Sequence, residues 1–274
     1  MASSRLHPTA VCETHEVGDD VTIGAFAFIG RECVLDDGVN VGAGARLLDG
    51  SSAGAGARIG ENSVVLACVT IGRGSVVEPA SVVADAVPAN AIVRGNPARI
   101  IGYRAVDVPP PSTRLRLSET NRTVASHVRG VRLQALTRVD DLRGMLIAAE
   151  FDNLPFVPVR IFTVTNVPSE HIRGSHAHHL CEQFLVSVSG GLSVVVDDGS
   201  EREELRLDNP DFGLYLPPMT WSTQYRYSPE ATLLVLASRP YEPEDYIRDY
   251  DDFLRLVSAD VPGLTDRSVE SRDS

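Results

Sequence analysis

The residues best suited to chemistry are His176-Ala177-His178, preceded by Arg173-Gly174 and followed by Glu182-Gln183. Two histidines at i and i+2 on an extended strand point to one face. Two imidazoles that titrate near neutral pH would then share one cavity. Two chemistries suit these residue types. The imidazoles and the Glu182 carboxylate could supply a two-histidine, one-carboxylate set for iron. The same imidazoles could instead remove and return protons on a bound small molecule.

The elements around the pair set its geometry. From about Val128 onward the apolar period is two, with β-branched runs separated by turn signals. Val157–Thr165, Gln183–Val188, Leu192–Val196, Gly213–Leu216 and Thr232–Ala237 read as strands. Gly190-Gly191 and Asp197-Asp198-Gly199 read as hairpin turns. Many short antiparallel strands and one late helix, expected over Glu244–Val257, predict a small barrel or jelly roll. An interior of that size can hold one ligand.

The first hundred residues follow a different period. Stepping by six from Val17 gives Ile23, Ile29, Leu35, Val41, Leu47, Ala53, Ile59, Val65, Ile71, Val77 and Val83, all apolar. Glycine dominates the next register, and the residue four places on is small or medium-sized, as in Ala27, Cys33 and Ser63. Three hexads per triangular coil predict a β-helix of about four coils. In it the apolar residue points inward, the small one fits the corner and the glycine serves the tight turn. The pattern resembles the left-handed β-helix of hexapeptide-repeat acyltransferases, whose prisms commonly form trimers. The ending Val87-Pro88 through Gly95-Asn96-Pro97-Ala98-Arg99 and the opening His7-Pro8-Thr9-Ala10 are similar to those of the sugar N-acetyltransferases. The resemblance implies that acetyl-CoA, if it binds at all, meets Asn96, Pro97 and Arg99. The hexads leave no room for the projecting loop of those enzymes, and no histidine follows His15 in the prism. A scaffold or trimerisation role is therefore favoured over acyl transfer.

The bulk numbers frame these readings. A chain of 274 residues holds about two domains. Its net charge of −12 and pI near 5.0 argue against nucleic-acid and anionic-membrane binding. The N-terminus lacks an apolar secretory segment, and no apolar run approaches the ~20 residues of a membrane span. The four cysteines lack paired spacing and read as reduced thiols in a cytoplasmic protein. The expected organisation is all-β: a left-handed parallel β-helix over 1–103, a linker over 104–126 around Pro109-Pro110-Pro111, a cupin or jelly-roll barrel over 127–262, and a flexible tail over 263–274.

His176, His178, Glu182 and Gly190 resemble the first cupin motif. The later segment Leu216–Ser222 contains no histidine, which turns the choice from metal binding to proton transfer. From Arg132 to Leu256 the chain resembles the metal-free cupins that act as nucleotide-sugar 3,4-ketoisomerases. The similarity rests on Leu142–Leu146, Asn153–Phe156, Val159–Phe162, Arg173–Gln183, Asp197-Asp198-Gly199, Gly213–Pro218, Trp221, Leu236-Ala237-Ser238 and Asp245–Asp251. It implies a dTDP-linked keto-deoxysugar substrate, no cofactor and no metal. It also implies catalysis by His176 and His178, with His178 as principal base. Arg160, Arg173, Trp221, Gln183 and Thr163 are implied at the substrate, and His179 outward. Phe162-Thr163 and Trp221-Ser222 depart from that family, which carries an aromatic hydroxyl and a Trp-His pair at these places. A homo-oligomer is expected: a trimer through the β-helix, a dimer through the cupin, or a hexamer from both.

Overall fold

The structure, a computed structural model, describes residues 4–104, 123–168 and 171–259. The chain divides into two units, Met1–Pro110 and Pro111–Ser274. Most of the expected linker and all of the expected tail lie outside the described residues, while Thr123–Ala125, at the linker's end, already form a strand.

The first unit is a parallel β-solenoid. From Glu16 to Val83 two-residue strands recur every six residues and pair at a spacing of 18, as in Thr22↔Asn40 and Asn40↔Arg58. Three hexads thus close one turn, and three sheets form its sides. Ile29, Leu47, Val65 and Ile71 are fully buried, as expected of the inward register. The corner residues Cys33, Ser51, Ser63 and Ser75 are equally buried, with hydroxyls satisfied locally: Ser63 Oγ donates to the Glu78 carbonyl at 2.9 Å.

The glycine register has a different cause from the expected one. The left-handed backbone falls two places later, at Asp20, Phe26, Glu32, Gly38, Gly44 and their equivalents. The register glycines lie instead where the next coil passes close: a Cβ on Gly60 would sit 2.5 Å from the Pro79 nitrogen and 2.7 Å from the Val77 carbonyl oxygen. Gly60→Ala is therefore expected to cost about 2–3 kcal/mol of overpacking. Gly56→Ala, with φ +67° but open space around it, should cost about 1 kcal/mol of backbone strain. Denaturant midpoints of the two variants check this; equal losses would contradict it.

The solenoid ends in an antiparallel hairpin, Ala91–Gly95 with Ala98–Tyr103, laid on one side of the prism. Asn96 and Pro97 form its turn across a cis peptide bond. Arg99 lies 3.8 Å from Asp85.

The second unit packs two antiparallel sheets face to face. One runs Thr123–Ala125, Arg132–Ala135, Phe212–Leu216, Gln183–Ser189, Thr232–Ala237, Arg160–Thr165. The other runs Arg202–Leu207, Leu192–Asp197, Trp221–Tyr225, Arg173–His178, Tyr246–Ile247. Leu185, Leu214 and Val235 of the first meet Val194, Val196 and Leu207 of the second in one apolar core. A separate hairpin, Thr137–Asp141 with Gly144–Ala148, completes the strands.

The late helix is shorter than expected. Pro243–Asp245 form a 3-10 turn, Tyr246–Ile247 a strand, and only Tyr250–Ala259 are helical. The backbone of Tyr246–Ile247 pairs with Ala177–His178, so sheet hydrogen bonding outcompetes helix there. The helix begins where the Asp249 carboxylate accepts the Asp252 N–H at 2.9 Å, an N-terminal cap. Phe253 and Val257 bury its apolar face against Ala177 and Ile247. No helix among the described residues is long and apolar enough to cross a membrane.

Candidate active site

The histidine strand, Arg173–His178, lies between Trp221–Tyr225 and Tyr246–Ile247. Its register shifts between Gly174 and His176, where Gly174 and Ser175 adopt positive φ. A Cβ on Gly174 would lie 2.8 Å from the Gln224 side chain and the Ser222 carbonyl oxygen. Glycine before the pair thus permits the bulge that re-aims the strand. Beyond it His176 opposes Ser222, which in turn opposes the core residue Val196. Residues directly opposite in a ladder share a face, so His176 faces the barrel interior.

His178, two residues on, shares that face and opposes Tyr246. The two imidazoles meet edge to face with ring centroids 5.0 Å apart. The Tyr246 ring packs on both, at 4.9 Å from His176 and 4.3 Å from His178. Asp245, one residue earlier, is buried, and its Oδ2 lies 2.8 Å from His178 Nδ1. The same carboxylate accepts the backbone N–H of Leu180 at 2.7 Å and of Cys181 at 3.2 Å. Hydrogen bonding to an ionised acceptor places the neutral ring's proton on Nδ1 and leaves Nε2 as the basic atom. Gln183 Nε2 lies 3.1 Å from that Nε2 and donates to it.

Both imidazoles are held below the ordinary histidine range. Burial is the main cause for His176, which is lowered to about 4; a backbone hydrogen bond with Gly174 opposes the shift, and the charges of His178 and Arg248 add to it. Burial also lowers His178, against the opposing hydrogen bond and charge of Asp245 and with the charges of Arg160 and Arg248. Both rings are therefore neutral at pH 7 and able to accept protons.

Arg160 is drawn into the site. Phe162 and Val164 of its strand pack on the core, so strand alternation turns Arg160 to the same side. Its guanidinium lies 4.5 Å above the Phe162 ring and donates to the Tyr246 hydroxyl at 3.5 Å. Arg248 is exposed, stacks 4.4 Å over the other part of this cluster, the Tyr246 ring, and has no carboxylate partner among the described residues. Tyr246 and Arg248 also border a cavity of about 290 Å³ whose other walls are His179, Ile247, Asp252, Arg255 and Leu256, and which neither His176 nor His178 lines.

Of the residues expected at the substrate, Gln183 and Arg160 converge on the pair. Arg173 opposes Gln224 at the far end of the histidine strand, and its charge acts on buried Tyr227. Two others lie apart from the pair. Thr163 is exposed, because its neighbours Phe162 and Val164 take the inward positions of the strand. Trp221 packs on Tyr250 and Phe253, with ring centroids at 5.1 and 5.6 Å, because Ser222 holds the inward position beside it. His179 is exposed, as expected. Glu182 accepts the Tyr215 hydroxyl at 2.6 Å and does not join the two histidines as a third ligand. Among the described residues only His178, Cys181 and Asp245 gather tightly enough to share an ion, and there the carboxylate already bonds the imidazole and two amides.

Asp245, Tyr246 and Arg248 gather at the histidine pair, although sequence reasoning placed them in a helix. Their detectable signal was the period-two stretch Tyr246-Ile247-Arg248 bounded by Pro243 and Asp249.

A jelly-roll interior presenting a histidine pair and a buried carboxylate, with Arg160 beside them, is the architecture of a cupin. The family model FdtA: WxcM-like, C-terminal, matches residues 129–258. The TDP-4-oxo-6-deoxy-alpha-D-glucose-3,4-oxoisomerase of Aneurinibacillus thermoaerophilus is 38% identical over 122 residues, which is 44% of this chain and 88% of the relative. A 3,4-ketoisomerase from Helicobacter canadensis is 36% identical over 48% of this chain and 99% of its own, with a TM-score of 0.47. The WlaRB TDP-quinovose 3,4-ketoisomerase from Campylobacter jejuni is 37% identical over 47% and 99%, with a TM-score of 0.45. The chain belongs to the FdtA-like family of sugar 3,4-ketoisomerases.

Proposed function

We propose that the barrel moves the keto group of a TDP-4-keto-6-deoxyhexose from C4 to C3 by proton transfer through an enediol. The observation that carries this reading is the His178–Asp245 hydrogen bond, which leaves a basic Nε2 in the barrel beside a second neutral imidazole. A C4 ketone acidifies the C3 proton. His178 Nε2, released from Gln183 when substrate enters, takes that proton, and the resulting imidazolium is stabilised by Asp245. Returning the proton to C4 completes the shift. Arg160 supports the developing enolate, since a fixed guanidinium stabilises negative charge where water is excluded. Arg248, exposed over the Tyr246 ring and with no carboxylate partner among the described residues, suits the diphosphate. No metal or cofactor is required by this scheme.

The relative's substrate supports TDP-4-keto-6-deoxyglucose as the sugar to try first. The β-solenoid serves as an assembly scaffold in this reading, and Asn96, Pro97 and Arg99 would hold acetyl-CoA only if it were catalytic. Incubation of the full chain with TDP-4-keto-6-deoxyglucose, followed by proton NMR, should show a 3-keto product. An unchanged substrate spectrum overturns the assignment. Absence of saturable acetyl-CoA binding by calorimetry would rule out a second, acetyl-transfer activity in the solenoid.

A further inference from the structure

We infer that Tyr246 is a further catalytic residue, carrying the hydroxyl proton between the two substrate oxygens. The inference rests on the proposed ketoisomerase reading and adds the step that reading leaves open. A shift of the keto group moves two protons. One leaves C3 and arrives at C4. The other must leave O3 and arrive at O4. The second transfer calls for one atom that can donate to one oxygen and accept from its neighbour.

The groups around the histidine pair differ in this capacity. Arg160 and Arg248 only donate. The Gln183 amide is engaged with His178 Nε2. A ring nitrogen of His176 is committed to the Gly174 backbone. Two hydroxyls remain, Ser222, which accepts from Gln224 at 3.2 Å, and Tyr246; of the two, Tyr246 packs its ring on both imidazoles, and its hydroxyl oxygen accepts from Arg160 at 3.5 Å. Among the described residues no acceptor is bonded to its own proton, so that proton is free for a ligand. The position of the ring is fixed by the backbone pairing of Tyr246 with His178 and by Asp245, which ties the same turn to the imidazole. The strand that carries Arg160 has Phe162 facing inward and offers no hydroxyl there.

The steps balance. His178 Nε2 takes the C3 proton, the C3–H pair becomes the C3=C4 bond, and the carbonyl pair moves to O4, which takes the Tyr246 proton. The phenolate forms beside the Arg160 guanidinium. It then takes the proton from O3, the O3 pair forms the C3 carbonyl, and the C3=C4 pair takes the imidazolium proton at C4. Tyr246 and His178 end as they began, and no oxidant or reductant is consumed.

The test is Tyr246→Phe in the full chain, which keeps the ring on both imidazoles and removes only the hydroxyl. Turnover of TDP-4-keto-6-deoxyglucose should fall about 10²-fold, the usual scale for losing one acid–base group, with KM within about threefold. In deuterated water, loss of the C3 proton from unreacted substrate should fall less than about tenfold, because His178 still works. Turnover within about threefold of the wild type overturns the inference, as does an equal fall in exchange and turnover, which would mark Tyr246 as support for the base alone. A wild-type protein that neither exchanges nor converts the sugar defeats the ketoisomerase reading instead.

Discussion

His178→Gln is expected to abolish turnover to within about 10⁴-fold of the wild-type rate, the upper range for loss of a general base. His178 is the imidazole whose Nδ1 is fixed by a buried carboxylate and whose Nε2 is basic. His176, lowered to about 4, is a weaker base by comparison, so His176→Gln should cost less. The variants separate the two roles when kcat is measured at saturating substrate. The pH dependence has a definite sign. His178 works in its neutral form, and burial holds its folded-state pKa below the ordinary value of 6.5. The acid limb of kcat/KM should therefore lie below pH 6.5, with activity flat from there toward pH 8. A limb centred at or above 6.5 would show that the base is not this buried imidazole. The same direction bears on stability: two histidines buried neutral favour the fold above pH 6.5, and that contribution is lost as pH falls through their lowered values.

Asp245→Asn should lower turnover about 10³-fold while leaving the barrel folded, a loss of tautomer control of the kind that cripples buried His–Asp pairs. The asparagine amide can turn its NH₂ toward Nδ1, which forces the His178 proton onto Nε2 and removes the base. The carboxylate also accepts the Leu180 and Cys181 amides, and one asparagine oxygen cannot replace all three bonds. A loss of about 1–3 kcal/mol of stability should accompany the change, the scale for a buried donor left unpaired. Asp245→Ala should be no worse for catalysis than Asp245→Asn. Combining Asp245→Asn with His178→Gln should add little to His178→Gln alone, because both disable one unit. Fully additive losses would show that Asp245 acts independently of His178.

The solenoid was legible because its physics is local and repeated. The apolar step of six needs no partner outside the next turn, and Ile29, Leu47 and Ile71 are buried as that step requires. The meaning of the glycines was not legible, since Gly60 answers to Pro79 in the coil above rather than to its own turn. In the barrel the His176–His178 pair was legible from period two alone. The same period turns Thr163 to the face opposite Arg160 and Phe162, and Trp221 to the face opposite the inward Ser222. Asp245 was hidden for a different reason. It meets His178 across 67 residues of sequence, and its acidic neighbours read as a helix start. Only the pairing of Tyr246–Ile247 with the histidine strand brings it in.

Proton exchange in deuterated water tests the central claim most directly. The wild-type chain, incubated with TDP-4-keto-6-deoxyglucose, should place deuterium at C3 of recovered substrate and at C4 of a 3-keto product, and His178→Gln should place it at neither. Conversion of the sugar, or exchange at C3, that survives His178→Gln would contradict proton transfer by this imidazole.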